Sequence, residues 1–190
     1  MTESVDLNKN RAVFLDRDGV LVREIVRNNQ AFAALTLDEF EIYPEAAAQV
    51  QRLREAGYLC IVFTNQPEVG RGLLPQETLD EMHRQLQAAM HLDDVYFCPH
   101  GRDGLCQCRK PLPGMLRDAA EKWQVDLLTS FVIGDRWRDI DAGLSAGCFS
   151  ILIDRPYSEC NRADARVESL AEAVDLILSQ ARRTENSTPA

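Results

Sequence analysis

The chain has 190 residues, enough for one full-sized domain, with 21 basic and 30 acidic side chains and a net charge of −9. This acidic balance argues against a protein that binds the phosphate backbone of a nucleic acid. The first residues lack the basic and apolar segments of a secretory signal, and no apolar run reaches the roughly 20 residues of a membrane helix. We therefore expect a cytoplasmic protein without nucleic-acid or membrane partners, and we take a monomer as the default.

Short apolar runs alternate with helical patterns along the chain. The runs do not alternate apolar with polar residues, which indicates strands covered on both faces, as in a parallel sheet. The predicted strands are Ala12–Leu15, Cys60–Phe63, Val95–Phe97, Phe131–Ile133 and Ser150–Ile153. The predicted helices are Pro44–Ala56, Pro75–Met90, Pro113–Trp123, Ile140–Ala146 and Leu170–Leu178. This order predicts an α/β fold with a doubly wound, Rossmann-like parallel sheet. We expect one domain over residues 1–190, with a core at about 11–182 and loose polar termini at 1–9 and 183–190.

Two carboxylates follow the first predicted strand. Asp16 and Asp18 are separated by one residue, and Gly19 marks a turn of the backbone. Two acids this close can divide the work of catalysis, because one can attack a substrate or hold a metal while the other moves a proton. Taken alone, the pair is explained equally well by an ordinary acidic turn.

Polar side chains also follow the second and fourth predicted strands. They are Thr64, Asn65 and Gln66 after the second strand and Asp135 after the fourth. At the carboxyl ends of neighbouring parallel strands, these groups would meet the first two acids in one crevice. Oxygen ligands of this kind favour a hard divalent ion, and Mg²⁺ suits a site that also holds phosphate. Arg109 and Lys110 would neutralise an anionic substrate there. The alternative is a set of unrelated polar turns and a solvated basic loop.

Three sulfur ligands and one imidazole lie within eleven residues. They belong to Cys98, His100, Cys106 and Cys108. Such a set suits a tetrahedral Zn²⁺ ion with no open position, which is typical of a structural site. The ion would fix the loop directly before Arg109 and Lys110. The alternative is a group of scattered buried thiols with a histidine that only forms hydrogen bonds. Outside this loop, we expect Cys60 to fill the core and His83 and His91 to lie on helix surfaces.

In this order, the motifs resemble the haloacid dehalogenase superfamily of phosphohydrolases over about residues 11–153. The motifs are Phe14-Leu15-Asp16-Arg17-Asp18-Gly19-Val20, Phe63-Thr64-Asn65, Lys110, and Ile133-Gly134-Asp135 with Asp139. The resemblance implies that Asp16 is a nucleophile that forms an aspartyl phosphate, and that Asp18 is the general acid and base. It also implies that Thr64 and Lys110 stabilise the transferred phosphoryl group. Mg²⁺ would be held by Asp16, Asp135 and Asp18, the last through its backbone carbonyl, and Asp139 would orient these ligands.

The zinc loop before Lys110 narrows the resemblance to one branch of this superfamily, which holds D-glycero-D-manno-heptose 1,7-bisphosphate phosphatases and histidinol-phosphate phosphatases. This branch has no separate cap domain, so surface loops would supply specificity. The implied substrate-binding residues are Glu24, Arg27, Asn65, Gln66, Arg71, Arg109 and Arg136. The chain departs from the usual pattern of the heptose enzymes at Pro67 and Glu68, and its short zinc loop is closer to the histidinol-phosphate type.

Three functional hypotheses follow. The first is a Mg²⁺-dependent phosphomonoester hydrolase that removes the 7-phosphate of D-glycero-D-manno-heptose 1,7-bisphosphate, for heptose synthesis of the lipopolysaccharide type. The second is a histidinol-phosphate phosphatase or another small sugar-phosphate phosphatase. The third is a zinc-stabilised binding module that has lost catalysis. A phosphatase is favoured because the nucleophile, acid, phosphoryl-binding and metal-binding positions are all filled by the expected residue types.

Overall fold

The computed structural model describes residues 9–28, 30–101, 105–159 and 162–185 of the chain. The eight described strands are β1 (Arg11–Leu15), β2 (Ile25–Arg27), β3 (Gln30–Phe32), β4 (Tyr58–Asn65), β5 (Asp94–Cys98), β6 (Phe131–Gly134), β7 (Phe149–Ile153) and β8 (Ala165–Val167). Six of them form a sheet in the order β5-β4-β1-β6-β7-β8, in which all neighbours run parallel. β2 and β3 form a separate antiparallel hairpin.

Helices cover both faces of the sheet. The α-helices are α1 (Ala46–Glu55), α2 (Pro67–Gly70), α3 (Gln76–Met90), α4 (Gly114–Trp123), α5 (Trp137–Ala146) and α6 (Leu170–Glu185). Alternate side chains of β1 point to opposite faces of the sheet, so helices have to cover both faces. Val13 and Leu15 pack with α1, α3 and α6 on one face. Ala12 and Phe14 pack with α4 and α5 on the other. Each large apolar side chain buried in this way contributes about 1.5–3 kcal/mol to stability. The predicted doubly wound fold is confirmed.

The position of β1 determines where polar groups can gather. It lies at the centre of the sheet, with Leu15 opposite Val62 of β4 on one side and Ile133 of β6 on the other. The chain fills one half of the sheet first and then the other, so a crevice opens at the carboxyl ends of these three strands. The backbone N–H of Asp16 donates to the Ile133 carbonyl at 2.9 Å, which fixes Asp16 at this edge.

All five predicted strands are present, but β8 and the β2–β3 hairpin were not predicted, because strands of three residues carry too short a pattern. Helix α5 begins three residues earlier than expected, because the Asp139 carboxylate accepts a hydrogen bond from the Arg136 N–H at 3.0 Å and caps the first turn. The expectation that His83 lies on a helix surface was wrong, since it is 7% exposed and its ring packs against Phe97. Residues 1–8 and 186–190 of the expected loose termini lie outside the described residues. None of the helices in the described ranges combines the length and apolar content needed to cross a bilayer.

Candidate active site

Three buried carboxylates meet at the carboxyl ends of β1 and β6. Asp16 follows β1, Asp135 follows β6, and Asp139 lies in the first turn of α5. Oxygen atoms of the three lie within 4.8 Å of one another, and the residues are 7%, 0% and 1% exposed. A side chain at Gly19 would collide with Asp135, and one at Gly134 would collide with Asp139. These two glycines therefore allow the carboxylates to approach the backbone closely.

Lys110 is the cation of this cluster. Its Nζ lies 2.8 Å from Oδ1 of Asp16 and 2.6 Å from Oδ1 of Asp139, and it donates to the Phe63 carbonyl at 2.9 Å. Its side chain is 3% exposed and stacks on the Phe63 ring. Three carboxylates and one ammonium leave an excess of negative charge in a buried site, which the guanidinium of Arg136, 3.9 Å from Oδ2 of Asp135, offsets only in part.

The electrostatics of the cluster indicate a missing positive charge. Burial and the charge of Asp139 raise the pKa of Asp16 from 3.8 to about 6, even though Lys110 acts in the opposite direction. Burial and the charges of Asp139 and Asp16 also raise the pKa of Asp135 well above its usual value. Within the described part of the chain, Oδ1 of Asp135 is buried without a hydrogen-bond partner. Oxygen donors, an excess of negative charge and an unpaired buried oxygen fit a Mg²⁺ ion.

Asp18 lies beside this cluster but is held differently. Its carboxylate accepts hydrogen bonds from Arg17 at 3.0–3.2 Å and from the Gln66 amide at 2.8 Å. The same Gln66 amide donates to Oγ1 of Thr64 at 2.9 Å. The side chain of Asp18 is therefore not one of the three clustered carboxylates, and a metal contact through its backbone carbonyl stays a prediction.

A cavity of about 410 Å³ opens above these groups. The predicted site residues that line it are Asp16, Asp18, Thr64, Asn65, Arg71, Arg109, Lys110 and Arg136. Gln66 and Asp135 are fully buried behind the cavity wall. Glu24 is also absent from the lining and accepts a hydrogen bond from the Tyr43 hydroxyl at 2.8 Å. The backbone of Arg27 lies in β2, while its side chain is outside the described part of the structure.

Several lining residues had no recognisable signal in the sequence. They are Gln30, Ala31, Phe32, Ala33, Trp137, Arg138, Tyr157 and Glu159. The hairpin reaches the cavity because Nη2 of Arg136 donates to the Ala31 carbonyl at 2.7 Å. The Tyr157 hydroxyl donates to Oδ2 of Asp135 at 2.7 Å, and burial followed by the charge of Asp135 raises the tyrosine pKa. Three further lining residues were named from the sequence: Asp139 through its spacing from Asp135, and Pro67 and Glu68 as departures from the heptose-enzyme pattern.

The cysteine loop forms a second cluster. The donor atoms of Cys98, His100, Cys106 and Cys108 lie within 4.8 Å of one another. Nδ1 of His100 is 3.4 Å from the Cys98 sulfur and 3.3 Å from the Cys108 sulfur, and the sulfurs of Cys98 and Cys106 are 3.8 Å apart. A tetrahedral zinc ion with normal bond lengths has sulfur–sulfur edges of about 3.8 Å and sulfur–nitrogen edges of about 3.6 Å. The donor set and its spacing therefore fit Zn²⁺.

The comparison with known protein families agrees with this geometry. Residues 23–147 match the family model of the haloacid dehalogenase-like hydrolases. Since the match covers more than half of the chain, the protein belongs to this hydrolase family, as its motifs predicted.

Within this family, the chain is similar to several heptose bisphosphate phosphatases. A D-glycero-β-D-manno-heptose-1,7-bisphosphate 7-phosphatase of Bordetella bronchiseptica is 39% identical over 148 residues, or 75% of this chain and 80% of the relative. A D-glycero-α-D-manno-heptose-1,7-bisphosphate 7-phosphatase of Photorhabdus laumondii is 32% identical over 80% of this chain and 88% of the relative. The crystal structure of a B. bronchiseptica D,D-heptose 1,7-bisphosphate phosphatase with magnesium and phosphate has a TM-score of 0.78 and 31% identity, covering 90% of this chain and 99% of the other.

Proposed function

We propose that the protein is a Mg²⁺-dependent phosphatase that hydrolyses phosphomonoesters through an aspartyl phosphate. The observation that carries this proposal is the buried group of Asp16, Asp135 and Asp139, with one lysine, at the floor of an arginine-lined cavity. Membership of the hydrolase family supports the same reaction class.

In the first step, an oxygen of Asp16 attacks the phosphorus of the substrate. A bond forms between this oxygen and phosphorus, and the bond from phosphorus to the leaving oxygen breaks. Asp18 gives its proton to the leaving oxygen, which departs as an alcohol. Lys110 lies 2.8 Å from Asp16 and reduces the repulsion between this carboxylate and the incoming phosphoryl group. The Thr64 hydroxyl, at the end of β4, would contact a phosphoryl oxygen.

In the second step, water attacks the phosphorus of the aspartyl phosphate. Asp18, now a carboxylate, takes a proton from this water, and the bond between phosphorus and the Asp16 oxygen breaks. Inorganic phosphate leaves and both acids return to their starting states. A bound Mg²⁺ would supply positive charge that draws Asp16 and a phosphoryl oxygen together. Asp16, Asp135 and the backbone carbonyl of Asp18 would hold it, and Asp139 would orient Lys110.

We also propose a structural Zn²⁺ ion held by Cys98, His100, Cys106 and Cys108. Distances between their donor atoms support a tetrahedral site with no open position. The ion would hold Arg109 at the rim of the cavity, because Nη1 of Arg109 donates to the carbonyl of His100, one of the four ligands, at 2.6 Å.

For the substrate, we propose D-glycero-D-manno-heptose 1,7-bisphosphate, cleaved at its 7-phosphate. The relatives with this activity support the proposal. Four arginines line the cavity of a chain whose net charge is −9, which supports a substrate with a second phosphate. These are Arg71, Arg109, Arg136 and Arg138. Histidinol phosphate is the second candidate, because Glu68 and Glu159 also line the cavity and would suit a cationic group.

The test is phosphate release from both candidates, with and without Mg²⁺, with the bisphosphate product identified by phosphorus NMR. We expect heptose 1-phosphate from the bisphosphate and little release from histidinol phosphate. The variant Asp16→Asn should lose at least about 1,000-fold in rate while keeping its fold and its zinc content. Turnover of histidinol phosphate without turnover of the bisphosphate would refute the substrate. An inactive wild type would favour the binding module.

Three further expectations stay predictions: a single domain, a monomer and a cytoplasmic location.

A further inference from the structure

Arg17 is a fully buried cation between the two acids of the first motif. It is 0% exposed and is the largest of the fully buried side chains in the described ranges. The carbonyl of Arg17 accepts hydrogen bonds from the N–H groups of Leu21 and Val22, both at 2.9 Å, so the turn after β1 fixes its backbone. Its guanidinium lies over the ring of Phe40, 5.7 Å from the centre. Nothing in the sequence patterns assigned a role to this residue.

The guanidinium faces Asp18 as a two-pronged donor. Nε lies 3.2 and 3.1 Å from the two carboxylate oxygens, and Nη2 lies 3.0 Å from Oδ1. The Gln66 amide adds a third donor, to Oδ2 at 2.8 Å. Each carboxylate oxygen of Asp18 therefore has two donor contacts. This geometry fixes the orientation of the Asp18 carboxylate.

Fold stability alone does not account for this arrangement. Burying a guanidinium and a carboxylate costs solvation energy, and replacing a whole buried ion pair by apolar side chains of similar volume is often neutral or stabilising. Nη1 of Arg17 is buried with no partner among the residues that the structure describes, which adds to the cost. The ion pair between Arg17 and Asp18 is therefore not explained by a gain in the free energy of folding, which points to a role in function.

We propose that Arg17 is a positioning residue that holds the carboxylate of Asp18 in line with both the leaving oxygen and the attacking water. This inference rests on the proposed function, in which Asp18 donates a proton in the first step and accepts one in the second. General acid–base catalysis needs the carboxylate within hydrogen-bond reach of its partner in each step. A bidentate guanidinium supplies that constraint, whereas a lysine at this position supplies charge without the planar fork.

The test separates the two chemical steps with p-nitrophenyl phosphate, whose leaving group departs as an anion and needs no proton. In Arg17→Met, the first step with this substrate should stay fast, whereas the second should slow by roughly 10- to 100-fold, a part of what acid–base catalysis contributes. Rapid-quench measurements should show a burst of about one p-nitrophenolate per active site, followed by slow turnover. With heptose bisphosphate, the first step also needs the proton, so the variant should be slow without a burst.

Arg155→Met is the matched control. Its guanidinium donates to the neighbouring Gly19 carbonyl at 3.0 Å and has no hydrogen bond to Asp18, so this variant should keep the wild-type ratio between the two substrates. In the background Asp18→Asn, the change Arg17→Met should cause no further loss of rate, since Arg17 acts through Asp18. If Arg17→Met does not fold, Arg17→Lys should show a weaker form of the same burst.

A uniform loss of both steps, or an equal further loss in the Asp18→Asn background, would overturn the role of Arg17 while leaving the proposed function intact. A wild type that hydrolyses neither substrate would overturn the proposed function and this role with it.

Discussion

The buried carboxylates make Mg²⁺ binding sensitive to pH. Without a bound cation, burial and the charge of Asp139 raise the pKa of Asp16 to about 6. Below that pH a proton occupies the carboxylate, and Mg²⁺ has to displace it. The affinity for Mg²⁺ should therefore weaken as the pH falls through about 6. The metal-free fold has the opposite dependence, because the raised pKa stabilises it below about pH 4 and this gain is lost as the pH rises through about 6.

The size of the effect follows from the pKa of Asp16. At about pH 5 a group with a pKa of about 6 is protonated in a ratio of about ten to one, so the apparent dissociation constant of Mg²⁺ should rise about tenfold relative to about pH 8. This factor corresponds to about 1.4 kcal/mol of binding free energy. The raised pKa of Asp135 acts in the same direction, so tenfold is a lower bound.

Isothermal titration calorimetry measures both the affinity and the protons released. In buffers with different ionisation heats, we expect release of about one proton or more per Mg²⁺ at about pH 5 and fewer protons at about pH 8. Asp175→Asn is the control, because this exposed acid pairs with Arg52 away from the site and its loss should leave both curves unchanged. Equal affinity at the two pH values, with no proton release, would refute the electrostatic description of the cluster.

Three other predictions follow from single contacts. Tyr157→Phe removes the hydrogen bond to Asp135 and should weaken Mg²⁺ binding by about 10- to 100-fold in the same calorimetric assay; unchanged affinity would contradict it. Cys106→Ser should lower the zinc content in metal analysis. It should also raise KM for the phosphorylated substrate more than it lowers kcat, because the zinc loop holds Arg109 at the rim of the cavity. Burial, followed by the charge of Arg17, lowers the pKa of His83 from 6.5 to about 4, so its contribution to stability is complete above about pH 6.5 and is lost as the pH falls to about 4. The free energy of unfolding of His83→Leu, measured with urea, should therefore vary less with pH than that of the wild type, by about 3 kcal/mol over this range. An identical pH dependence in both proteins would contradict the shift in the pKa of His83.

Sequence patterns located two of the clustered acids because each of these two follows a short apolar run that predicts a buried strand. Asp16 and Asp135 each follow a strand that is buried on both faces, and such strands leave a continuous apolar signal. The order of those strands then brings the two acids together. Prediction was weaker for contacts between distant segments, which leave no local pattern. The Tyr157 hydroxyl meets Asp135 across 22 residues, and Arg136 meets the hairpin at Ala31 across 105.

Burial was also hard to infer at polar positions. Gln66 follows Thr64 and Asn65 at the end of β4 and was expected to face the substrate, yet it is fully buried and bridges Asp18 and Thr64. His83 lies on a helix whose apolar face was correctly predicted, but a polar residue type gave no reason to place it on that face. Arg17 is the extreme case, because a fully buried arginine is rare unless it is paired. Its partner is the adjacent residue, and sequence spacing alone does not show that the two side chains face each other.

Contacts at the end of β4 hold Lys110 independently of the zinc loop. They explain why the loss of zinc should affect KM more than kcat. Oδ1 of Asn65 accepts from the Lys110 N–H at 3.1 Å, and the Asn65 amide donates to the Lys110 carbonyl at 3.2 Å. Lys110 is thus held by a strand end and by its three side-chain contacts, whatever happens to the zinc loop. Arg109 is tied to the zinc loop instead, because its guanidinium donates to the carbonyl of His100 and its backbone N–H bonds the Cys106 sulfur. It should therefore move when the loop loses its metal. A fall in kcat as large as the rise in KM would show that the proposed zinc site positions Lys110 as well.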